Sequence, residues 1–323
     1  MSADEPFFHT IAIAGLGLIG GSIALGIRER WPSIRIVGVD HPSVLAHAMG
    51  SGAIDRAAKS IADIGTPELV ILAAPVGQNV ELLRQLGDRV AAEARTSPGL
   101  RQGSGQARHS EAEAADPRGG ADQPRPTPAS IVVTDVGGTK RDIVAAARSL
   151  PDGLAFVGGH PIGGAERGGF GFARPDLFSG RPWIFTPDEQ SDALALERLE
   201  RLATGLGARP ARVEAGDHDR LMAYVSHLPQ LAASALMFTV GGGAADGLRL
   251  AGRGLVDTTR LASSPASVWR DIAASNHDFI GEALDGLIAT LSELRRDLVH
   301  GDTIEKTFSD AGRWRAELMK GKE

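Results

Sequence analysis

The apolar positions of this chain change their rhythm about two-thirds of the way along. Before that point, short continuous apolar runs at 11–15, 34–40, 69–75 and 131–135 are separated by longer stretches of helical period, such as 21–29 and 80–93. Strands alternating with helices predict a parallel, doubly wound sheet. Runs at 154–157 and 183–186 extend that sheet, and a helix over 188–206 followed by a short strand at 211–214 completes it. Beyond residue 215 the strand signal stops. Leu221, Val225, Leu228, Ala232 and Ala235 recur at spacings of four and three, the seam of a buried helix. Ile280, Leu284, Leu287, Leu291, Leu294 and Leu298 repeat that spacing. Asp302 with Glu305 predicts a capping box opening a last helix. The fold class expected is α/β: a Rossmann-type doubly wound parallel sheet over 8–214, then an all-α domain over 215–323. The apolar seams of that second domain suit pairing with a second copy, so a homodimer is expected; helices packed only within one chain are the plain alternative.

Composition alters this picture in a few places. Residues 95–130 are rich in Gly, Pro, Ala, Gln and charge and poor in large apolar side chains. Such a segment buries too little surface to offset its ordering entropy, so a disordered insertion in the first domain is expected. A net charge of -6 gives no electrostatic footprint for nucleic acid. The absence of cysteine removes disulfides, thiolate nucleophiles and Cys-based metal sites, and no metal is expected. The first ten residues carry Asp4 and Glu5 and no basic cluster, unlike a signal peptide. No run of about 18 apolar residues lacks a glycine or a charge, so no membrane span is expected. The expectation is a cytoplasmic protein acting on a small molecule.

The strongest local signal is Gly15-Leu16-Gly17-Leu18-Ile19-Gly20, which follows one apolar run and opens a helical stretch. Gly15 suits the tight turn, Gly17 a close approach of backbone to a diphosphate, and Gly20 the close packing of helix on strand. The diphosphate would then sit on the N–H groups that open the helix, at Leu18 and Ile19. Asp40 ends the second run, about 20 residues on, where a carboxylate accepts from both ribose hydroxyls and repels a 2′-phosphate. This pattern predicts NAD in preference to NADP. Ala74 and Pro75 leave the third run on the sheet edge where ligands lie in open α/β sheets.

Two further glycine-rich stretches follow strands on that same edge: Thr134-Asp135-Val136-Gly137-Gly138-Thr139-Lys140 and Gly158-Gly159-His160-Pro161-Ile162-Gly163-Gly164-Ala165-Glu166. A histidine at a strand end beside a nicotinamide site can accept a proton near neutral pH. His160 is the candidate.

Taken with these stretches, His218-Asp219, Ser226-His227-Leu228-Pro229, Asp257-Thr258-Thr259-Arg260 and Trp269-Arg270-Asp271-Ile272 make a chain that resembles the prephenate/arogenate dehydrogenases. The matches run in order from residue 11 to about 276. The resemblance implies that His160 is the catalytic base, taking the proton of the ring C4 hydroxyl as hydride leaves C4, with loss of CO2 aromatising the ring. It implies that Arg260 binds a substrate carboxylate, a task suited to a bidentate guanidinium. It implies that His227 lines the substrate pocket with Trp269 nearby, and that Glu166 tunes or gates the site.

The sequence departs from the family pattern at Gly138, where a serine that orients the histidine is common. Thr139 is the hydroxyl that could stand in if the loop turns differently. Ala165 replaces a frequent threonine, and Arg253 a frequent glycine. Gly138 and Ala165 keep open a dehydrogenase for a ring-modified prephenate such as a 4-amino analogue; a non-catalytic dinucleotide-binding protein is a further alternative, against which His160 and Arg260 count, and the two-domain plan is shared by a β-hydroxyacid dehydrogenase. The last usually places a catalytic lysine on a helix of the second domain, and the stretch 221–238 has none.

Overall fold

The computed structural model describes residues 7–96, 131–164 and 167–320. Contacts divide the chain into two units, one ending at His218 and one beginning at Asp219.

The first unit is built on β1 (Thr10–Ala14), β2 (Arg35–Val39), β3 (Arg56–Ala58), β4 (Leu69–Leu72), β5 (Ile131–Asp135), β6 (Leu154–Pro161), β7 (Pro182–Thr186) and β8 (Arg209–Arg212). They form one sheet in the order β3-β2-β1-β4-β5-β6-β7-β8. Helices α1 (Leu18–Arg30), α2 (Pro42–Gly50), α3 (Val76–Thr96), α4 (Arg141–Ala147) and α5 (Ala193–Gly205) connect the strands. The continuous apolar runs are explained by burial on both faces. Ile11 and Ile13 of β1, with Leu69 and Ile71 of β4, face a core shared with α1, α2 and α5. Their neighbours Ala12, Ala14, Val70 and Leu72 face a second core against α3 and α4.

The expected parallel sheet has one exception, since β7 runs antiparallel to β6, pairing Gly158 with Thr186 and His160 with Ile184. A parallel neighbour needs a crossover, usually a helix. No α-helix stands between β6 and β7 among the described residues, whereas α5 joins β7 to β8 and that pair is parallel. β6 also runs four residues past the predicted end, which carries His160 inside the strand. The elements β3, α2 and α4 escaped the sequence reading. Arg95 and Thr96, expected in the insertion, close α3, and 97–130 lie outside the described residues.

Helix α6 (Ala215–Met222) contains the boundary between the units. The second unit is helical throughout its described residues, with α7 (Leu228–Ala244), α8 (Arg253–Thr258), α9 (Ala266–Ser275), α10 (His277–Arg296) and α11 (Asp302–Lys320). A π-helical turn, Ala223–His227, leads into α7, and Pro229 lies in the first turn of that helix. Proline has no N–H to offer the turn before it, so the ladder widens there instead of continuing.

The seam predicted from Leu221 and Val225 is not buried in a single chain: these side chains are 41% and 66% exposed. The helix buries Met222, Ala223, His227, Gln230 and Ala233 instead. The spacing identified an apolar face, but that face looks outward. Leu291 and Leu298 of the second seam are exposed as well, while Ile280 is buried. The continuous run Ala215–Leu250 is, by length and composition alone, apolar enough to cross a membrane, which the glycine-and-charge criterion did not register. The last helix opens differently from expectation, with the Asp297 carboxylate accepting the Thr303 N–H.

Candidate active site

Three of the glycine-rich turns lie at the carboxyl ends of strands in the first unit. The first follows β1. Gly15 has φ +97°, and a side chain there would lie 2.5 Å from the Ala73 carbonyl, so only glycine makes this turn against β4. A Cβ on Gly20 would fall 1.9 Å from the Gly15 oxygen, which is how closely helix and strand pack. Gly17 differs: a Cβ there would meet nothing within 4 Å. Its missing side chain serves no protein neighbour and leaves room for a ligand. Gly17, at the N-cap of α1, has no side chain to offer the first-turn N–H groups, Leu18 and Ile19 among them, which suits an anionic group there.

A groove of about 390 Å³ opens beside this turn, lined among others by Gly15, Gly17, Asp40, Ala74 and Pro75. Asp40 accepts from the backbone N–H groups of Leu16 and His41, which sets its carboxylate at the end of β2. Asn79, fully buried, accepts the Ala74 N–H at 3.0 Å and holds the turn after β4. A glycine turn with free space over it, an uncapped helix start and a carboxylate at the next strand end fit a dinucleotide.

The second and third turns are locked together. Asp135 ends β5, and its buried carboxylate pairs with the buried Lys140 ammonium. The same carboxylate accepts the N–H of Gly137 at 2.8 Å and that of Gly159 at 3.2 Å, while Lys140 Nζ donates to the Gly159 carbonyl at 2.8 Å. A Cβ on Gly159 would lie 2.7 Å from the backbone carbonyl oxygen of Asp135. Loop and strand are thus stapled at the residue before His160. Thr139 is buried within the stapled loop.

His160 Nδ1 lies 2.9 Å from His218 Nε2, with the two rings edge to face. His218 is fully buried in the first turn of α6. That helix start is capped by Glu214, whose Oε2 accepts from the N–H groups of Gly216 at 2.7 Å and Asp217 at 3.0 Å. Glu166, the expected gating acid, lies outside the described residues.

The second unit gathers the residues expected to bind substrate. His227 is buried, with Asn276 Nδ2 at 3.3 Å from its Nδ1, and that amide donates to the Asp219 carbonyl at 2.8 Å. The Trp269 ring stands edge-on to His227 at 6.0 Å. Arg260 opens a short 3-10 turn, Arg260–Ser263, and is exposed. Among the described residues its guanidinium has no side-chain partner, the state of a cation available to a ligand. Gln230, buried on α7, anchors that turn from below: its Nε2 donates to the Leu261 carbonyl at 2.7 Å and its Oε1 accepts from Ser264 at 3.1 Å. The sequence reading missed Gln230 and Asn276. Gln230 follows Ser226-His227-Leu228-Pro229 directly, and a glutamine on the buried face of an apolar helix was the available signal.

Known proteins give these features a context. The family model described as "Prephenate dehydrogenase, nucleotide-binding domain" matches residues 126–211, and "Prephenate dehydrogenase, dimerization domain" matches 214–308. The prephenate dehydrogenase of Bacillus subtilis is 33% identical over 294 residues, covering 88% of this chain and 69% of the relative. The cyclohexadienyl dehydrogenase of Zymomonas mobilis is 27% identical over 96% of both chains. A crystal structure of prephenate dehydrogenase from Aquifex aeolicus, in complex with hydroxyphenyl propionate and NAD+, superposes with a TM-score of 0.76 at 25% identity, covering 96% of this chain and 98% of that one. The chain belongs to the prephenate dehydrogenase family.

Proposed function

We propose that this protein catalyses the NAD-dependent oxidative decarboxylation of prephenate to 4-hydroxyphenylpyruvate, of arogenate to tyrosine, or of both, in tyrosine biosynthesis. The observation that carries the reading is His160 at the carboxyl end of β6, its imidazole held by His218, on the same sheet edge as the dinucleotide groove. NAD, bound along Gly15, Gly17, Leu18, Ile19, Gly20 and Asp40 with Ala74 and Pro75 alongside, supplies the hydride acceptor.

His160 accepts the proton of the C4 hydroxyl as C4 gives up hydride and becomes a carbonyl carbon. The bond from the ring to its carboxylate then breaks, CO2 leaves, and the electron pair enters the ring to form the phenol. Arg260 binds a carboxylate of the dianionic substrate, and a guanidinium with no side-chain partner among the described residues supports that role. His227 and Trp269 line the substrate's position. Thr139 supports the loop beside His160, and Glu166 gates entry. The protein works in the cytoplasm as a homodimer joined through its helical unit, a reading supported by the dimerization-domain match and the exposed apolar face of α6 and α7.

The test is reduction of NAD by purified protein with prephenate and arogenate in parallel, followed at the reduced-nicotinamide absorbance. Turnover with either establishes the reaction, and the ratio of kcat/KM values assigns the preferred side chain. Failure with both substrates, in protein that binds NAD, overturns the proposal.

A further inference from the structure

We infer that His218 is a positioning residue for His160: it fixes the tautomer and the ring plane of the base through one imidazole–imidazole hydrogen bond. The inference rests on the reading of His160 as base and deepens it, by saying what the contact with His218 does to the base. His160 Nδ1 and His218 Nε2 are 2.9 Å apart, a distance that requires one hydrogen between the two nitrogens. An imidazole accepts a proton on one nitrogen only if its hydrogen sits on the other. When Nδ1–H of His160 donates to His218, Nε2 is left bare and able to take a hydroxyl proton. The opposite arrangement puts the hydrogen of neutral His160 on Nε2 and disables it.

The framework around the pair is rigid on both sides. His160 follows the Asp135–Lys140–Gly159 staple, so its backbone is held from β5. His218 is fully buried in a helical turn whose start Glu214 caps. Proton transfer depends on geometry before it depends on proton affinity, so the partner that sets the ring controls the rate.

The experiment compares His218→Phe, which keeps a ring and removes the acceptor, with His218→Gln, whose amide oxygen can accept from Nδ1–H, and with His160→Asn. Steady-state kinetics, NAD affinity and imidazole 15N spectra are measured for each folded variant. His218→Phe is expected to lose about 100-fold or more in kcat, the scale of general-base catalysis, with KM and NAD affinity within about threefold. His218→Gln is expected to recover most of that loss. In the wild type, the His160 Nδ1 resonance is expected at the protonated position and Nε2 at the bare one, a pattern that the phenylalanine variant scrambles and glutamine restores.

Near-wild-type kcat in His218→Phe, or a His160 tautomer unchanged by it, overturns the inference while leaving the base reading intact. Full turnover in His160→Asn instead overturns the base reading, and the 15N spectra still decide whether His218 sets the tautomer. Should His218→Phe fail to fold, a glutamine variant with the wild-type tautomer and rate upholds the inference, and one with a scrambled tautomer and full rate overturns it.

Discussion

Lys140 and Asp135, five residues apart in sequence, form an ion pair sealed from solvent at the end of β5. Neither partner is spare. The carboxylate also takes two backbone N–H groups and the ammonium one backbone carbonyl, so the pair ties the β5 loop to the strand that carries His160. Removing one member of a buried pair strands the other charge. Lys140→Met should therefore cost about 3–5 kcal/mol of stability, read as a lowered urea midpoint. Lys140→Arg should fail to rescue it, since the branched guanidinium is larger than the pocket left by a fully buried lysine.

The glycines of the first turn should separate folding from binding. A Cβ on Gly17 meets no protein atom within 4 Å, whereas one on Gly20 falls 1.9 Å from the Gly15 oxygen. Gly17→Ala should melt within a degree or two of wild type and bind NAD at least tenfold more weakly, because the methyl occupies the approach to the diphosphate. Gly20→Ala should lose stability first, by about 1–3 kcal/mol for an overpacked site. Calorimetric titration with NAD beside thermal unfolding distinguishes the two.

How much of this could be read from the chain depended on the range of the interaction. The fingerprint from Gly15 to Gly20, Asp40 at a strand end and the alternation of strand and helix are local patterns, and the sheet carries them where they were expected. The strand β3, three residues long, and the seven-residue α4 are too short to show a period. The reversal of β7 goes with the lack of a crossover helix between β6 and β7 among the described residues, a gap that the alternation of strand and helix elsewhere in the sheet obscured. His160 and His218 stand 58 positions apart, and only the fold brings them to 2.9 Å. The face carrying Leu221 and Val225 is a different kind of miss: periodicity revealed an apolar stripe but could not say what covers it.

His160 and Arg260 should fail in different ways. His160→Asn removes the proton acceptor without touching the dinucleotide groove, so kcat should fall by about 100- to 10,000-fold with NAD affinity unchanged. Arg260→Gln removes the cation for a substrate carboxylate and should act mainly on KM. A His160→Asn enzyme with near-wild-type turnover would falsify the base assignment.

Gln230 gives a graded version of the Arg260 experiment. Its amide holds Leu261 and Ser264 on either side of the turn that Arg260 opens. Gln230→Leu keeps the approximate volume and removes both bonds, leaving the Leu261 carbonyl unsatisfied at a cost of about 1–3 kcal/mol. The loosened turn should raise KM severalfold while kcat changes little. A loss confined to kcat would show that Gln230 acts on the reacting ring and not on the turn.

The outward apolar face supplies the last prediction. Val225 is 66% exposed and Phe238 85% exposed along the Ala215–Leu250 run, and His227 and Gln230 on the same run are buried within the helical unit. A helix that turns polar groups inward and apolar groups outward needs a cover, and a second copy brings the same face to meet it. Light scattering should therefore give twice the chain mass of 33.7 kDa at micromolar concentration. Phe238→Asp places a charge in that contact and should shift the protein to a monomer, or expose it to aggregation, while far-ultraviolet dichroism stays unchanged. A wild-type mass of one chain, or a Phe238→Asp variant still fully dimeric, would assign this face to some other cover.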